Sequence, residues 1–236
     1  MAKLAVFKLW GDYAHFKKFY TTTSPLTFEI PPPPTLIGMI SAIIGLDKDQ
    51  YLSYFMNPDH YYIAICLDKP IKKVRMSQNF INTKHHFWRI ENRTQIRVEY
   101  LKDVSYRIYF YHSDSTLYQT LCRHLQNHES VYTVSLGLSE LLANFQFLDE
   151  IEAEPKTSHE FVAIQSVIPY SCLMDSASIR FDTNQEILKV NYPIHMKPDR
   201  VVDHRQDLLF EKYANPIHCK VKSFYETDKG ERIVFI

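Results

Sequence analysis

Glycine is scarce in this chain, with five residues among 236. A glycine-rich phosphate grip therefore has little to be made from. Cysteine is equally thin. The four thiols, Cys66, Cys122, Cys172 and Cys219, are widely separated and form no CxxC pair. That pattern suits reduced, buried thiols in a cytoplasmic protein and excludes a disulfide framework or a closely spaced zinc site. No long hydrophobic run is present. The longest strongly apolar stretch lies within residues 36–46, well short of the ~20 residues that cross a bilayer, and no stretch reads as a secretory leader. A cytoplasmic protein without membrane contact is expected. Net charge is zero, with 27 Lys and Arg against 27 Asp and Glu, so the totals point to no nucleic acid. No cluster of Asp and Glu suggests bound metal, and no cofactor is expected.

What the chain does have is a core, aromatics and uneven charge. Hydrophobic residues make up 45% and aromatics 14%, enough for one large domain or two small ones. Between residues 69 and 107 there are ten Lys or Arg against three Asp or Glu, a local net of +7. Between 140 and 186 there are nine acids against two bases, a local net of −7. The basic segment could track a phosphate backbone; two solvated faces account for the charges equally simply.

The stretch FEIPPPPTLIGMISAIIGL, residues 28–46, organises the chain. Ile30 precedes a proline and is pushed to extended backbone, and four prolines make a stiff turn without N–H donors. Thr35 is placed to cap a helix in which Leu36, Met39, Ile40, Ile43 and Ile44 recur at helical spacing. Gly38 implies close approach of another backbone, and Gly45 fits a left-handed C-terminal cap. The turn would set the free N–H groups of the helix start beside the preceding loop. Before this stretch, residues 3–10 alternate as a buried strand. Residues 11–23, GDYAHFKKFYTTT, read as a loop whose cations His15, Lys17 and Lys18 interleave with Tyr13, Phe16, Phe19 and Tyr20. Lysines for phosphates and rings for bases suit single-stranded nucleic acid; a packed surface loop is the plainer account.

Residues 61–67 read as a strand and 68–78 as a basic strand. Residues 79–94, NFINTKHHFWRIENRT, have no period and look like a hairpin tip carrying Lys84, His85, His86, Arg89 and Arg93 beside Phe87 and Trp88. An exposed Trp beside Arg implies something that covers it. Residues 95–100 and 105–112 alternate as strands. Asp114 or Ser115 can cap a second helix with the stripe Leu117, Leu121, Leu125. His124 and His128 stand at i, i+4, but two solvated histidines without a third ligand make no metal site. Residues 144–154 form a strand. Residues 155–236 hold several short strands, a charged connection at 198–215 and a hairpin turn at Asp228-Lys229-Gly230. The order β, α, β, basic hairpin, β, α, β predicts an α+β fold: a ferredoxin-like βαββαβ domain over residues 1–154 with an inserted hairpin, then a β-rich C-terminal lobe over 155–236. The RNA-recognition motif shares that plate, but its aromatic signatures are absent.

The segments WGDYAHFKKF, PPPPTLIGMISAIIGL, EYLKDVSYRIYFY and VSLGLSELLANF, in that order, resemble the Cas-five family of CRISPR-associated RAMP proteins over roughly the first 150 residues. Of a RAMP glycine-rich loop only Gly137 remains, in SLGLSE. The resemblance implies a subunit of a type I Cascade surveillance complex, closest in character to subtype I-B. It implies a protein that grips the 5′ handle of the guide crRNA and ends a filament of Cas-seven backbone subunits. A Cas-eight-type large subunit, and target DNA through the complex, would be further partners. The basic thumb hairpin maps onto residues 75–97. On this reading Lys17, Lys18, Lys84, Arg89, Arg93 and Arg97 meet phosphates, while Tyr13, His15, His85, Phe87 and Trp88 stack, wedge or donate. The protein is then an RNA-binding scaffold without catalysis. Two alternatives stand beside it. One is a metal-independent endoribonuclease drawing its base from His15, His85 or His86; the other is an adaptor that binds only protein.

Overall fold

The computed structural model describes residues 2–21, 23–81, 88, 93–175 and 177–236. Its strands are β1 (Ala2–Ala14), β2 (Phe16–Lys17), β3 (Thr27–Phe28), β4 (Tyr61–Leu67), β5 (Lys73–Ile81), β6 (Arg93–His112) and β7 (Asn144–Lys156). They continue with β8 (Val162–Ile164), β9 (Ile168–Pro169), β10 (Ile187–Met196), β11 (Val202–Glu211), β12 (Ile217–Cys219), β13 (Phe224–Thr227) and β14 (Arg232–Ile233). Helix α1 (Pro33–Ile44) joins β3 to the β4 region, and α2 (Ser115–Asn127) joins β6 to β7. The main sheet runs β14-β13-β7-β1-β6-β4, with β5 added on β6. Its pairs are antiparallel.

Alternation in β1 sends Phe7 and Leu9 to the face covered by the helices and Leu4 and Val6 to the other, as a two-residue period requires. The strand does not end at Trp10, where a loop was expected. Gly11, Tyr13 and Ala14 go on to pair with Val104, Lys102 and Leu101 of β6. A polar, aromatic sequence is strand here because a distant partner satisfies its backbone. Gly11 also makes room for the 133–142 segment, since a Cβ there would lie 2.6 Å from Leu136 Cδ1.

Helix α1 starts three residues earlier than the sequence implies. Pro33 and Pro34 occupy its first positions, Pro32 is the N-cap, and no side chain caps it. The fixed φ of proline suits a first turn. The N–H groups of Thr35 and Leu36 both bond to Pro32 O, at 2.8 and 3.0 Å. The helix start therefore offers no free donors to the preceding loop, contrary to expectation. Gly45 caps the end at φ +81. Gly38 meets no backbone; a Cβ there would find only the Tyr51 ring, with Oη at 3.7 Å. Helix α2 is capped by Asp114, whose carboxylate accepts from Thr116 N and Leu117 N. Leu117, Leu121 and Leu125 are buried. His128 leaves the helical stripe as its left-handed cap and lies 5.0 Å from Phe145.

Residues 155–236 share part of the sheet and core of the rest, and also pack a cluster of their own around Ile164, Ile168, Leu209, Ile217 and Cys219. Strands β13 and β14 extend the main sheet beyond β7. Tyr192 of β10 and Leu208 and Phe210 of β11 join the same buried cluster as α1. Among the described residues no helix is long and apolar enough to cross a membrane.

Strand β6 has 20 residues, and its length shapes the surface. From Tyr106 to Phe110 it lies between β1 and β4. Before Leu101 its strand partner is β5, in register from Lys73↔Leu101 to Ile81↔Arg93. The two strands thus leave the sheet as a ribbon about 25 Å long, at ~3.4 Å per residue.

Candidate nucleic-acid interface

At the end of β1 the chain turns through His15. His15 N donates to Leu136 O at 3.0 Å. Its Nδ1 lies 2.7 Å from Glu99 O, and its ring is 5.5 Å from Tyr100. Gly137, at φ +100, lies against it so closely that a Cβ would sit 2.0 Å from His15 O. The single glycine kept in SLGLSE is thus required by a backbone contact.

Glu29 is buried at the centre of the region. Its Oε1 takes Lys18 Nζ at 3.2 Å and Lys73 Nζ at 2.8 Å. Lys73 also meets Glu99 Oε1 at 3.2 Å, and Arg75 meets Glu99 Oε2 at 3.5 Å. Tyr106 Oη donates to Glu29 O at 3.1 Å. Burial alone would raise the Glu29 carboxyl, but the bond from Lys73 and the charges of Lys73 and Lys18 outweigh it and hold the group below its ordinary value. For Lys73, burial is likewise outweighed by Glu29 and Glu99, and its ammonium titrates above the usual lysine value.

These pairs redraw the basic segment. Lys69 and Lys72 both reach Asp103, at 2.5 and 3.4 Å, and Arg107 bonds Glu231 at 2.8 Å. Lys73 and Arg75 are neutralised at the ribbon base. The +7 stretch is therefore not one continuous cationic face. Arg93, Arg97 and Lys102 are exposed and make no ion pair among the described residues. Cross-strand register puts Arg93 and Arg97 on one ribbon face with Ile81, Ser77 and Arg75. The other face carries Val74, Met76, Phe80, Ile96 and Val98.

The expected contact residues thus divide. Lys17 is exposed, and Tyr13 is half-buried, edge-on to Tyr100 at 6.5 Å. Arg93 and Arg97 are exposed on the ribbon, and Trp88, in a turn at its tip, is 73% exposed. Lys84, His85, Phe87 and Arg89 lie outside the described residues. His15 and Lys18 correct the sequence reading. Both are buried, one bonded to a carbonyl and the other to a carboxylate, so their polar atoms are engaged inside the protein rather than offered at its surface. What the reading missed is the exposure of Phe19 and Tyr20, at 59% and 60%, and the guanidinium of Arg205, 3.8 Å over the Phe19 ring. The interleaved rings and cations of residues 13–20 were the only sequence signal for it.

Chemically, the region offers cations and flat rings. Other histidines serve as staples: His112 Nε2 lies 3.0 Å from Tyr54 O, and His195 bridges Asp203 at 2.7 Å and Phe55 O at 3.3 Å. Among the described residues no group of three or more His, Cys, Asp or Glu could hold a metal ion.

Comparison with known proteins agrees with this architecture. No curated protein sequence matches. Among solved structures, a chain of a "CRISPR RNA-guided surveillance complex" is similar at 11% identity, with a TM-score of 0.53 over 90% of this chain and 91% of that one. A CRISPR protein from Archaeoglobus fulgidus is similar at 13% identity, with a TM-score of 0.54 over 98% and 97%. A chain of the Type III-B Cmr-beta complex bound to cognate target RNA and AMPPnP gives 9% identity and a TM-score of 0.55 over 90% and 86%. These likenesses establish a shared fold. The family model described as "CRISPR-associated protein (Cas_Cas5)" matches residues 5–171, and the chain therefore belongs to the Cas5 family of CRISPR-associated proteins.

Proposed function

We propose that this chain is a non-catalytic, RNA-binding subunit of a type I CRISPR surveillance complex, of subtype I-B character, which grips the 5′ handle of the crRNA. The observation that carries the proposal is the ribbon β5–β6. It stands off the sheet, is anchored at its base by the Glu29 and Glu99 ion pairs, and presents Arg93 and Arg97 without carboxylate partners among the described residues. In this reading the ribbon is the thumb, and β1-α1-β4-β6-α2-β7, in sheet order β7-β1-β6-β4, is a ferredoxin-like unit over residues 1–154. Residues 155–236 flank it. Lys17, Lys84, Arg89, Arg93 and Arg97 contact phosphates, and Tyr13, His85, Phe87 and Trp88 contact bases. The chain ends a filament of Cas-seven subunits, next to a Cas-eight-type large subunit, and target DNA reaches the protein through that assembly in the cytoplasm.

Cleavage by this chain is disfavoured by the setting of His15. A general base must reach the attacking hydroxyl, and this imidazole is buried against Glu99 O and Tyr100. The test is co-expression with a guide array and candidate partner subunits, followed by sequencing of the copurified RNA. Guide RNA with its 5′ handle in a complex containing this chain is expected. A complex that assembles with no RNA, or purified chain that cuts repeat RNA at one phosphodiester, would overturn the proposal.

A further inference from the structure

The loop that follows β2 is tied to itself. Lys18 N donates to Leu26 O at 2.8 Å, and Thr21 N donates to Lys18 O at 3.2 Å. Thr21 Oγ1 donates to the same carbonyl at 2.9 Å and accepts from Leu26 N at 3.2 Å. A loop closed in this way could turn its rings inward, yet Phe19 and Tyr20 point out, edge to face at 5.0 Å. Across from them, Arg205 of β11 lays its guanidinium 3.8 Å over Phe19. Asp207, two residues along the same strand, is taken by Lys189 at 3.1 Å and Asn191 at 2.9 Å. Neither Arg205 nor Lys17 has a carboxylate partner among the described residues.

We infer that Phe19 and Arg205 form a stacking platform for an unpaired base of bound RNA, with Lys17 beside it for the adjoining phosphate. The inference rests on the RNA-binding function proposed above and extends it to the hairpin β10–β11, to which the sequence assigned no role. The surface combines flat apolar rings with cations that lack a counter-charge. A nucleotide supplies both missing parts at once, a π-face for the ring and an anion for the cation. An apolar peptide would cover the rings but desolvate the cations without pairing them. The loop that carries Phe19 is fastened to the ribbon base, where Pro25 O accepts Glu99 N at 3.0 Å.

The experiment measures binding of the full chain, alone and in the co-expressed complex, to fluorescein-labelled single-stranded RNA carrying the repeat-derived handle. Phe19→Ala and Arg205→Ala are each expected to weaken binding about tenfold, the loss of roughly one stacked base, while Phe19→Trp retains it. A 2-aminopurine scanned along the RNA should be quenched at one position by the unaltered protein and not by Phe19→Ala. An abasic nucleotide at that position should weaken the unaltered protein and leave Phe19→Ala unchanged. Unaltered affinity and quenching in both alanine variants would overturn the platform. So would loss of protein partners with RNA binding intact, which would assign the patch to a protein. Failure of the unaltered chain to bind RNA in either setting would sink the parent function instead, which keeps the two failures distinguishable.

Discussion

The hydroxyl of Tyr192 closes on Glu29 from 163 residues away, accepting Glu29 N at 3.1 Å and Ile30 N at 3.2 Å and donating to Glu29 Oε2 at 3.1 Å. One donor and two lone pairs are all used. The contact fastens β10 to the turn that launches α1 and holds the carboxylate that anchors Lys18 and Lys73. Burial, and then the neighbouring Glu29 charge, push the Tyr192 phenol well above its ordinary value, so it remains a neutral donor.

Removing that hydroxyl should cost more than an ordinary hydrogen bond. Tyr192→Phe leaves two buried N–H groups and a buried carboxylate oxygen short of a partner, at about 1–3 kcal/mol for each unsatisfied group. A urea melt is expected to show a loss of about 3 kcal/mol. An unchanged midpoint would mean that water replaces the hydroxyl and the link is not structural.

The Glu29 cluster also sets an acid limit. The folded-state carboxyl titrates below its ordinary 4.5. Its stabilisation is therefore complete above that value and is lost as pH falls through the lower folded value. Lys73 titrates above its ordinary 10.5, so its share is complete below 10.5 and is lost as pH rises through the higher folded value. Thermal melts taken from neutral pH to the acid side of 4.5 should show a falling Tm in the unaltered protein. In Glu29→Gln the curve should be lower at neutral pH and flatter toward acid. Parallel curves for the two proteins would contradict the assignment.

Ribbon charge should appear in salt dependence. Each phosphate contact on a single strand contributes about 0.7 to the slope of log affinity against log salt. Arg93→Ala with Arg97→Ala should reduce that slope by about 1.4, with the melting curve unchanged because both side chains are exposed. An unchanged slope would remove these two residues from the phosphate contacts.

Two glycines of like backbone separate steric need from conformational strain. Gly137→Ala drives a Cβ to 2.0 Å from His15 O, a backbone atom that cannot swing away; a loss of about 3 kcal/mol or outright insolubility is expected. Gly230, at φ +78, has nothing within 4 Å of an added Cβ, so Gly230→Ala should cost only the left-handed strain, about 1–2 kcal/mol. Equal losses in the two variants would show that packing against His15 is not what holds Gly137.

The sequence by itself determined what depends on neighbours in the chain. The spacing of Leu36, Met39, Ile40 and Ile43, and of Leu117, Leu121 and Leu125, specifies two helices and their buried faces. The alternation in residues 3–10 and 105–112 specifies central strands, and the breaks between them specify the order of elements. Four quoted segments were enough to indicate the family. Tertiary structure alone decided which polar groups face solvent. His15, Lys17 and Lys18 are nearly adjacent, yet only Lys17 is exposed, because Glu99 and Glu29 claim the other two from 84 and 11 residues away. Likewise a run of cations cannot reveal that Asp103 takes Lys69 and Lys72, or that Arg205 lies over Phe19. Periodicity is a property of the local backbone and can be read along the chain. Ion pairing and exposure are set by partners that meet only when the sheet has formed.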